Sequence, residues 1–297
     1  WRNIWRNRMR TFITAASIMF AVFFASFMES IQRGAWDHML GNVVNFYYGY
    51  AQIHQKGYWE EQTLDKAFAL NTSIKDLEAS IPEVKSVIPR IESFALASYG
   101  EITKGVLVVG VDPNAENNMT RLSTRISEGR YLKKEDKAIL IGEGVAESLR
   151  LTLGDTLVLI SQGYRGVNAA GKYPIKGILQ FGSPELSKRM VYLPLEEAQW
   201  LYGAEDLITT VALQLGDKED TPDAVSAVKA KLDMEEYEVM DWQEMIPELM
   251  EMRELKNSSN KLVLLILYLI IAFGIFGTIL MMTKEREYEF GILISIG

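Results

Sequence analysis

Two long uncharged stretches constrain this chain more than any other feature. Thr11–Met28 contains 18 residues without a charge, and Leu262–Met282 contains 21. A helix rises about 1.5 Å per residue, so each stretch approaches the roughly 30 Å thickness of a bilayer's hydrocarbon core. We therefore predict transmembrane helices at 11–28 and 262–282. A cleaved signal peptide is the alternative for the first stretch, although no small-residue cleavage site precedes Ile31.

The charges around the first stretch predict its orientation. It is preceded by four arginines and followed within twenty residues by Arg33 alone; the four are Arg2, Arg6, Arg8 and Arg10. An excess of basic residues marks the cytosolic side of a membrane helix. We therefore place the N-terminus and residues 283–297 in the cytosol and 29–261 outside. Tryptophans alternate with the arginines at helical spacing, which predicts a cytosolic interfacial helix over 1–10.

The composition of the external segment excludes some partners. Six of the 31 basic and three of the 39 acidic residues lie at the two ends, which leaves 25 basic and 36 acidic residues and a net charge of −11 outside. An acidic surface disfavours nucleic acid and anionic lipid as ligands. The sequence contains no cysteine, so this domain is stabilised by its hydrophobic core rather than by disulfides.

Residues 29–261 alternate between short strand and short helix patterns. Strands are predicted at 48–54, 94–99, 104–110, 138–141, 156–161, 173–180, 189–193, 208–215 and 237–240, and helices at 71–80, 143–149, 195–202, 222–232 and 242–256. The first membrane helix is expected to continue as a stalk to about Phe46. We predict an α+β domain of two mixed α/β subdomains, divided near 113–130 and returning to the first near 205–220. The segment Gln162–Lys172 is rich in glycine, which predicts a surface loop.

Sequence motifs for catalysis are missing from the chain. There is no GxxxxGK[ST] phosphate loop, no GxSxG elbow and no HExxH helix, and the two histidines, His38 and His54, fall on different predicted elements. We therefore predict no catalytic residue and no metal site. The remaining class is a protein that transmits a signal or a movement across the membrane. It is either a two-span sensor receptor or a permease that contacts a cytosolic ATPase. In a sensor receptor, the second span should continue into the heptad repeats of a coiled coil. Here the charged residues Lys284–Glu289 are followed by an apolar segment with a glycine at each end, which favours the permease.

Motifs along the chain resemble one family. The C-terminal stretch contains Glu285-Arg286, Glu289-Phe290-Gly291-Ile292-Leu293 and Ser295-Ile296-Gly297, and the N-terminal stretch contains Arg2-Asn3, Arg6-Asn7 and Arg10-Thr11. Weaker matches between them are Gln52-Ile53-His54, Val109-Gly110-Val111-Asp112-Pro113, Glu128-Gly129-Arg130-Tyr131-Leu132 and Leu153-Gly154-Asp155-Thr156. In this order they resemble FtsX/MacB-type ABC transporter permeases, and most of all the lipoprotein-releasing branch.

The resemblance implies an architecture and a set of partners. It implies a MacB-like periplasmic core domain in a four-span inner-membrane permease, of which this sequence would be a fragment without the last two spans. Such permeases pair as homo- or heterodimers and bind two copies of a separate ATPase, which carries the ATP and magnesium. No cofactor is expected in this chain. A lipoprotein and a periplasmic chaperone are further partners that the resemblance implies.

The resemblance also assigns candidate sites. Glu285, Arg286, Glu289 and Gly291 would contact the ATPase, and Ile294 stands where relatives have a basic residue. The loop 162–172, with Tyr164, Arg165 and Asn168, would be a partner loop. An acyl-chain contact is the sharper interpretation of the helical stripe at Phe20, Phe23, Phe24 and Phe27, which would otherwise face lipid or a neighbouring helix.

These observations together predict a permease subunit that couples ATP hydrolysis in its partner to mechanical work outside the membrane. Release of lipoproteins from the inner membrane is the first expectation. Macrolide or peptide export, regulation of cell-wall hydrolases, and a two-span sensor receptor are the alternatives.

Overall fold

A computed structural model describes residues 8–217, 219–285 and 287–296. Contacts divide the chain into two compact units: a helical unit, Trp1–Asp37 with Pro247–Gly297, and a central domain, His38–Ile246. The predicted interfacial helix over 1–10 lies, apart from its last three residues, outside the described residues.

The central domain contains the strands. They are β1 Ala51–Gln55, β2 Phe68–Ala69, β3 Val84–Tyr99, β4 Ile102–Val111, β5 Ile126–Gly129, β6 Ile139–Gly142, β7 Thr156–Gln162, β8 Asn168–Leu179, β9 Met190–Pro194, β10 Leu207–Ile208, β11 Thr210–Leu215 and β12 Tyr237–Asp241.

Helices flank the strands and form both ends of the described chain. They are α1 Arg8–Val43, α2 Tyr58–Glu61, α3 Thr72–Lys75, α4 Leu77–Ser80, α5 Pro113–Thr120, α6 Glu143–Leu149, α7 Pro184–Ser187, α8 Leu195–Tyr202, α9 Thr221–Lys231, α10 Trp242–Met245, α11 Pro247–Glu285 and α12 Glu287–Ile296. A π-helical turn, Val44–Tyr48, follows α1, and short 3₁₀ turns lie at Leu64–Lys66, Leu122–Arg125 and Tyr164–Gly166. The mixed α/β content predicted from the sequence is confirmed.

One branched sheet of ten strands organises the central domain. Its order is β12-β1-β11-β3-β4-β9-β6-β8-β5, and β7 pairs with both β3 and β8. The 16-residue strand β3 joins the two parts, because its first half pairs with β11 and its second half pairs with β7. The pairs β4–β9 and β6–β8 are parallel. The division into two subdomains near 113–130 stays a prediction, since this strand network is continuous across it.

Hydrophobic cores lie on both faces of this sheet. Successive residues of a strand point to opposite faces, and Val108 and Val109 of β4 accordingly belong to different clusters. The Val108 cluster packs strands against α6 and α8, while the Val109 cluster includes Tyr47 from the π-helical turn. A third cluster packs α4 and α9 on β1, β11 and β12. These cores explain how a domain without cysteine remains folded.

Two helices of the structure are long and apolar enough to cross a membrane, judged by length and composition. The candidate spans are Ala15–Gly41 and Pro247–Met281. The first lies in a helix of 36 residues and the second in a helix of 39. Both helices extend well beyond the uncharged stretches, which agrees with the expected stalks.

Two sequence-based boundaries differ from the structure. The strand predicted from Tyr48 begins at Ala51, because the π-helical turn continues α1 to Tyr48. The predicted helix 242–256 is interrupted between Met245 and Pro247, since proline has no N–H to continue the first helix. The first of these two helices begins with a capping box between Asp241 and Glu244.

Candidate functional site

The predicted ATPase-coupling segment forms a helical elbow. Glu285 is the last residue of α11, while Glu289 and Gly291 lie in α12; Arg286 lies outside the described residues. An open concave surface of about 580 Å³ at the elbow is lined by Lys284, Glu287, Gly291, Ile292 and Ser295. A β-carbon added at Gly291 would meet no atom within 4 Å. The elbow therefore offers an open surface, and its contact with an ATPase stays a prediction.

The predicted aromatic stripe lies on one face of α1. Its members, Phe20, Phe23, Phe24 and Phe27, are 51–67% exposed. Phe20 stacks on Phe24 with ring centroids 6.3 Å apart, and Phe23 stacks on Phe27 at 6.1 Å. The structure brings the four rings together as one exposed apolar surface. Acyl-chain binding by this surface stays a prediction.

Polar contacts join α1 and α11 within the helical unit. The Asn260 side-chain amide donates a hydrogen bond to the Gln32 side-chain oxygen. One turn away, the Lys256 ammonium lies 5.8 Å from the centre of the Trp36 ring. Both contacts lie within 29–261, the part of the chain that the sequence predicts to be outside the membrane. These contacts fix the register of the two helices near residues 32–36 and 256–260.

The predicted partner loop 162–172 is much shorter than expected. Strand β8 begins at Asn168 and pairs with β7, which leaves a turn of five residues, 163–167. The sequence misleads here because Ala169–Lys172 lacks a hydrophobic run, yet its backbone forms the ladder with β7. Tyr164 and Arg165 lie in the turn, and Asn168 is an exposed strand residue.

Contacts hold this turn against the domain. The Gly163 N–H donates to the Val167 carbonyl at 2.6 Å, and the Arg165 N–H donates to the Asp65 carboxylate at 2.9 Å. Arg165 has a positive φ of 51° and lies 5.0 Å over the Tyr164 ring. A β-carbon at Gly163 would overlap the Tyr202 carbonyl. The turn is therefore a closed, restrained surface, and partner binding by its residues stays a prediction.

Sequence reasoning missed a buried ion cluster in the central domain, which we call the Arg90 cluster: Tyr47, Arg90, Glu92 and Glu116. The Arg90 and Glu116 side chains are fully buried. Arg90 donates from Nε to Glu116 Oε2 at 2.9 Å and from Nη2 to Glu116 Oε1 at 2.8 Å. This bidentate geometry is the strongest form of a charge-assisted hydrogen bond between side chains.

Tyr47 joins the pair from the end of the π-helical turn. Arg90 Nη1 donates to the Tyr47 carbonyl at 2.5 Å, and the Tyr47 hydroxyl donates to Glu92 Oε2 at 2.6 Å. Burial raises the pKa of Glu92, and the nearby Arg90 charge opposes that rise. Among the described residues, Glu92 Oε1 has no hydrogen-bond partner and lies 3.8 Å from Arg90 Nη1.

Local sequence explains how Glu116 reaches Arg90. Val111, at the end of β4, pairs directly with Arg90 of β3. Asp112 then caps α5 by accepting hydrogen bonds from the N–H groups of Asn114 and Ala115, with Pro113 at the first helical position. The helix therefore starts beside Arg90 and carries Glu116 over it. The Asp-Pro-x-x-Glu spacing, together with two charges in a strand at 90 and 92, was the available signal.

A second buried polar group, His54, lies on β1. Its Nδ1 is 3.3 Å from the Thr209 carbonyl, which requires the hydrogen to be on Nδ1, while Nε2 has no hydrogen-bond partner in the described part of the chain. The ring stacks on Tyr58 at 5.0 Å. Burial lowers the pKa of His54 to about 4. His54 is therefore a neutral core residue at physiological pH. No group of three or more metal-binding side chains occurs among the described residues.

Comparison with known proteins gives similarity over nearly the whole chain. The lipoprotein-releasing system transmembrane protein LolC of Neisseria meningitidis serogroup B is 23% identical over 98% of this chain and 71% of the relative. The lipoprotein-releasing system transmembrane protein LolE of Haemophilus influenzae is 24% identical over 73% of this chain and 53% of the relative. The chain thus spans part of the length of these relatives.

Two transporter domains among the solved structures match this chain at low identity. The extracellular domain of the noncanonic ABC-type transporter YknZ from Gram-positive bacteria has 16% identity and a TM-score of 0.44, covering 65% of this chain and 99% of that domain. The periplasmic region of MacB from Actinobacillus actinomycetemcomitans has 12% identity and a TM-score of 0.47, covering 70% and 94%.

A family model completes the comparison. The model described as the MacB-like periplasmic core domain matches residues 11–231. This range includes nearly all of α1, the sheet as far as β11, and all of α9. The resemblance to FtsX/MacB-type ABC transporter permeases, predicted from the motifs, is confirmed. The match covers about three quarters of this chain's residues. The chain therefore belongs to the MacB-like periplasmic core domain family.

Proposed function

We propose that this chain is the permease subunit of a mechanically acting ABC transporter that releases lipoproteins from the inner membrane. The observation that carries the proposal is the similarity of 98% of the chain to a lipoprotein-releasing transmembrane protein. The two long apolar helices and the domain between them supply the parts that such a mechanism needs. ATP hydrolysis, with its magnesium, belongs to a separate ATPase, so this chain is not itself an enzyme.

The proposed topology places the N-terminus and the elbow in the cytosol and the central domain in the periplasm. The four arginines that precede the uncharged stretch Thr11–Met28 support this orientation. Because the chain has no cysteine, one cysteine introduced at exposed Ser226 would be a unique label site. A membrane-impermeant maleimide should label Ser226→Cys in cells with a permeable outer membrane. Labelling only after inner-membrane lysis would contradict the topology.

The proposed partners are two ATPase copies, a second permease and a lipid-modified cargo. The open elbow supports the ATPase contact, because Gly291 leaves space for an approaching surface. Glu289→Lys in the full-length permease should lower ATP-dependent lipoprotein release from proteoliposomes. Glu251→Lys, an equal charge reversal at an exposed position of α11, is the matched control. Equal release by both variants would refute the coupling role of Glu289.

The exposed aromatic face of α1 supports an acyl-chain contact. At 100° per residue, Phe23 and Phe27 lie about 40° apart around the helix axis, while Val22 lies about 100° and 140° away from them. Phe23→Ala with Phe27→Ala should reduce crosslinking to lipoprotein and its release, whereas Val22→Ala should not. Unchanged crosslinking in the phenylalanine variants would refute this contact.

A periplasmic chaperone is the remaining proposed partner. Tyr164 and Arg165 present a restrained turn, which suits a small rigid contact better than a flexible grip. A photocrosslinker placed at Asn168 should capture the chaperone when the complex releases cargo. Capture of cargo alone at this position would remove the chaperone from the proposal.

A further inference from the structure

The end of the first long helix is embedded in the central domain. Leu40, Val44 and Tyr47 are each less than 7% exposed. The Gly49 N–H donates to the Val44 carbonyl at 2.7 Å and closes the π-helical turn. A single π-turn within or after an α-helix is uncommon and is often found at functional positions.

The carbonyl and the hydroxyl of Tyr47 are both bound to strand β3. The last carbonyls of a helix have no partner within the helix, and here the buried Arg90 guanidinium supplies one. The Tyr47 hydroxyl binds Glu92 at 2.6 Å. Arg90 and Glu92 are two residues apart and lie on the same face of the strand. The helix end is therefore attached to one strand at two adjacent points.

Residues from outside the helix end and β3 also hold Arg90 and Glu92 in place. Glu116 of α5 fixes the Arg90 guanidinium by two hydrogen bonds, and the Glu92 N–H donates to the Thr209 hydroxyl at 2.8 Å. Buried ion pairs add little net stability over apolar residues of the same volume, because desolvation is costly. The cluster therefore fixes the orientation of the helix end on β3 and makes this attachment stiff, while it adds little to the free energy of unfolding.

We propose that the Arg90 cluster is a rigid joint through which displacement of α1 is transmitted to β3 and the sheet. The proposal rests on the proposed function only for the source of the displacement, which is the ATPase. Tyr47, Arg90, Glu92 and Glu116 act as positioning residues, and the cargo touches none of them.

Hydrogen exchange on the full chain in nanodiscs tests stiffness without any ATPase. Tyr47→Phe removes one phenol–carboxylate hydrogen bond and retains the ring. We expect amide exchange at 44–49 to accelerate by about 3- to 10-fold, as local opening loses one hydrogen bond. Tyr173→Phe removes the equivalent bond to Glu197 and is the matched control. Equal exchange at 44–49 in both variants would overturn the proposal.

Transport in the complete complex tests transmission. Tyr47→Phe should retain ATP hydrolysis but release lipoprotein several-fold more slowly per ATP, while Tyr173→Phe keeps the wild-type ratio. If Tyr47→Phe released as much lipoprotein per ATP as the wild-type complex, the proposed joint would be refuted. Failure of the wild-type complex to release lipoprotein would instead refute the proposed function, and a faster exchange at 44–49 would still support the rigid attachment.

Discussion

Replacing Glu116 by glutamine tests whether the Arg90 cluster is a true buried ion pair. The two side chains have nearly the same shape, so the change removes the charge and leaves the packing. One of the two Arg90 hydrogen bonds loses its acceptor, because the glutamine NH₂ is a donor. The fully buried guanidinium then faces Glu92 alone, at 3.8 Å.

The expected loss of stability follows from these contacts. Removing one partner of a buried pair typically costs about 3–5 kcal/mol. The remaining glutamine carbonyl and the Glu92 charge both reduce the cost, so we expect about 3 kcal/mol. In a domain of this size each kcal/mol lowers the melting temperature by about 2–4 °C, which gives a fall of roughly 6–12 °C.

Urea denaturation of the chain in detergent, followed by tryptophan emission, measures this loss. Glu196→Gln, which removes an exposed ion pair with Lys134, should cost no more than about 1 kcal/mol. The double variant Arg90→Met with Glu116→Leu removes both charges and should be about 1–2 kcal/mol more stable than Glu116→Gln.

One result would refute the reasoning. If Glu116→Gln cost no more than Glu196→Gln, the Arg90 charge would be neutralised by water or by Glu92, and the cluster would not be a buried ion pair. A double variant less stable than Glu116→Gln would show that the cluster contributes net stability, contrary to the desolvation argument.

Two further predictions concern single residues of the core. Because burial lowers the pKa of His54 from 6.5 to about 4, the unfolded chain binds a proton in that range that the folded chain does not. This contribution to stability is complete above pH 6.5 and falls by about 3 kcal/mol towards pH 4. The urea midpoints of the wild type and His54→Gln should therefore approach each other as the pH falls from 6.5 to 4. A difference between the two midpoints that does not change with pH would contradict the lowered pKa of His54. Gly110→Ala should cost about 1–3 kcal/mol, because the new methyl group overlaps Ala198 and Ile91. Gly105→Ala, on the same strand with no atom within 4 Å, is the control, and equal melting temperatures would contradict the overlap.

Local signals predicted much of the fold. Helices α6 and α8 have the predicted ends, and the strands predicted at 94–99 and 104–110 lie in β3 and β4, which pair as a hairpin around Gly100. Gly203, with a φ of 59°, ends α8, and Gly100, also with a φ of 59°, forms the hairpin turn, so a short window of sequence contains these signals. The Phe stripe also formed as the helical spacing predicted.

Features that depend on distant partners were missed. Strand β3 contains Pro89, Arg90 and Glu92. In the sequence these residues are typical of a loop or an exposed surface, and the contacts of Arg90 and Glu92 with Glu116 and Tyr47 become visible only in the structure. Likewise, the start of β8 has little hydrophobic pattern and is a strand because β7 supplies its hydrogen bonds. A surface loop was predicted in its place, since a single sequence shows no pairing.

The two connections of the central domain leave it side by side. Ala51, the first residue of β1, pairs with Asp241, the last residue of β12, and the Trp242 N–H donates to the Tyr50 carbonyl at 3.0 Å. A force that spreads the two connections would reach the Arg90 cluster first, because Tyr47 precedes Ala51 in the chain. Once the cluster gave way, the force would open this end of the ladder one hydrogen bond after another. A force that moves both connections together would leave the ladder unloaded. The domain is thus built to follow concerted motion of its two connections and to yield when they are pulled apart.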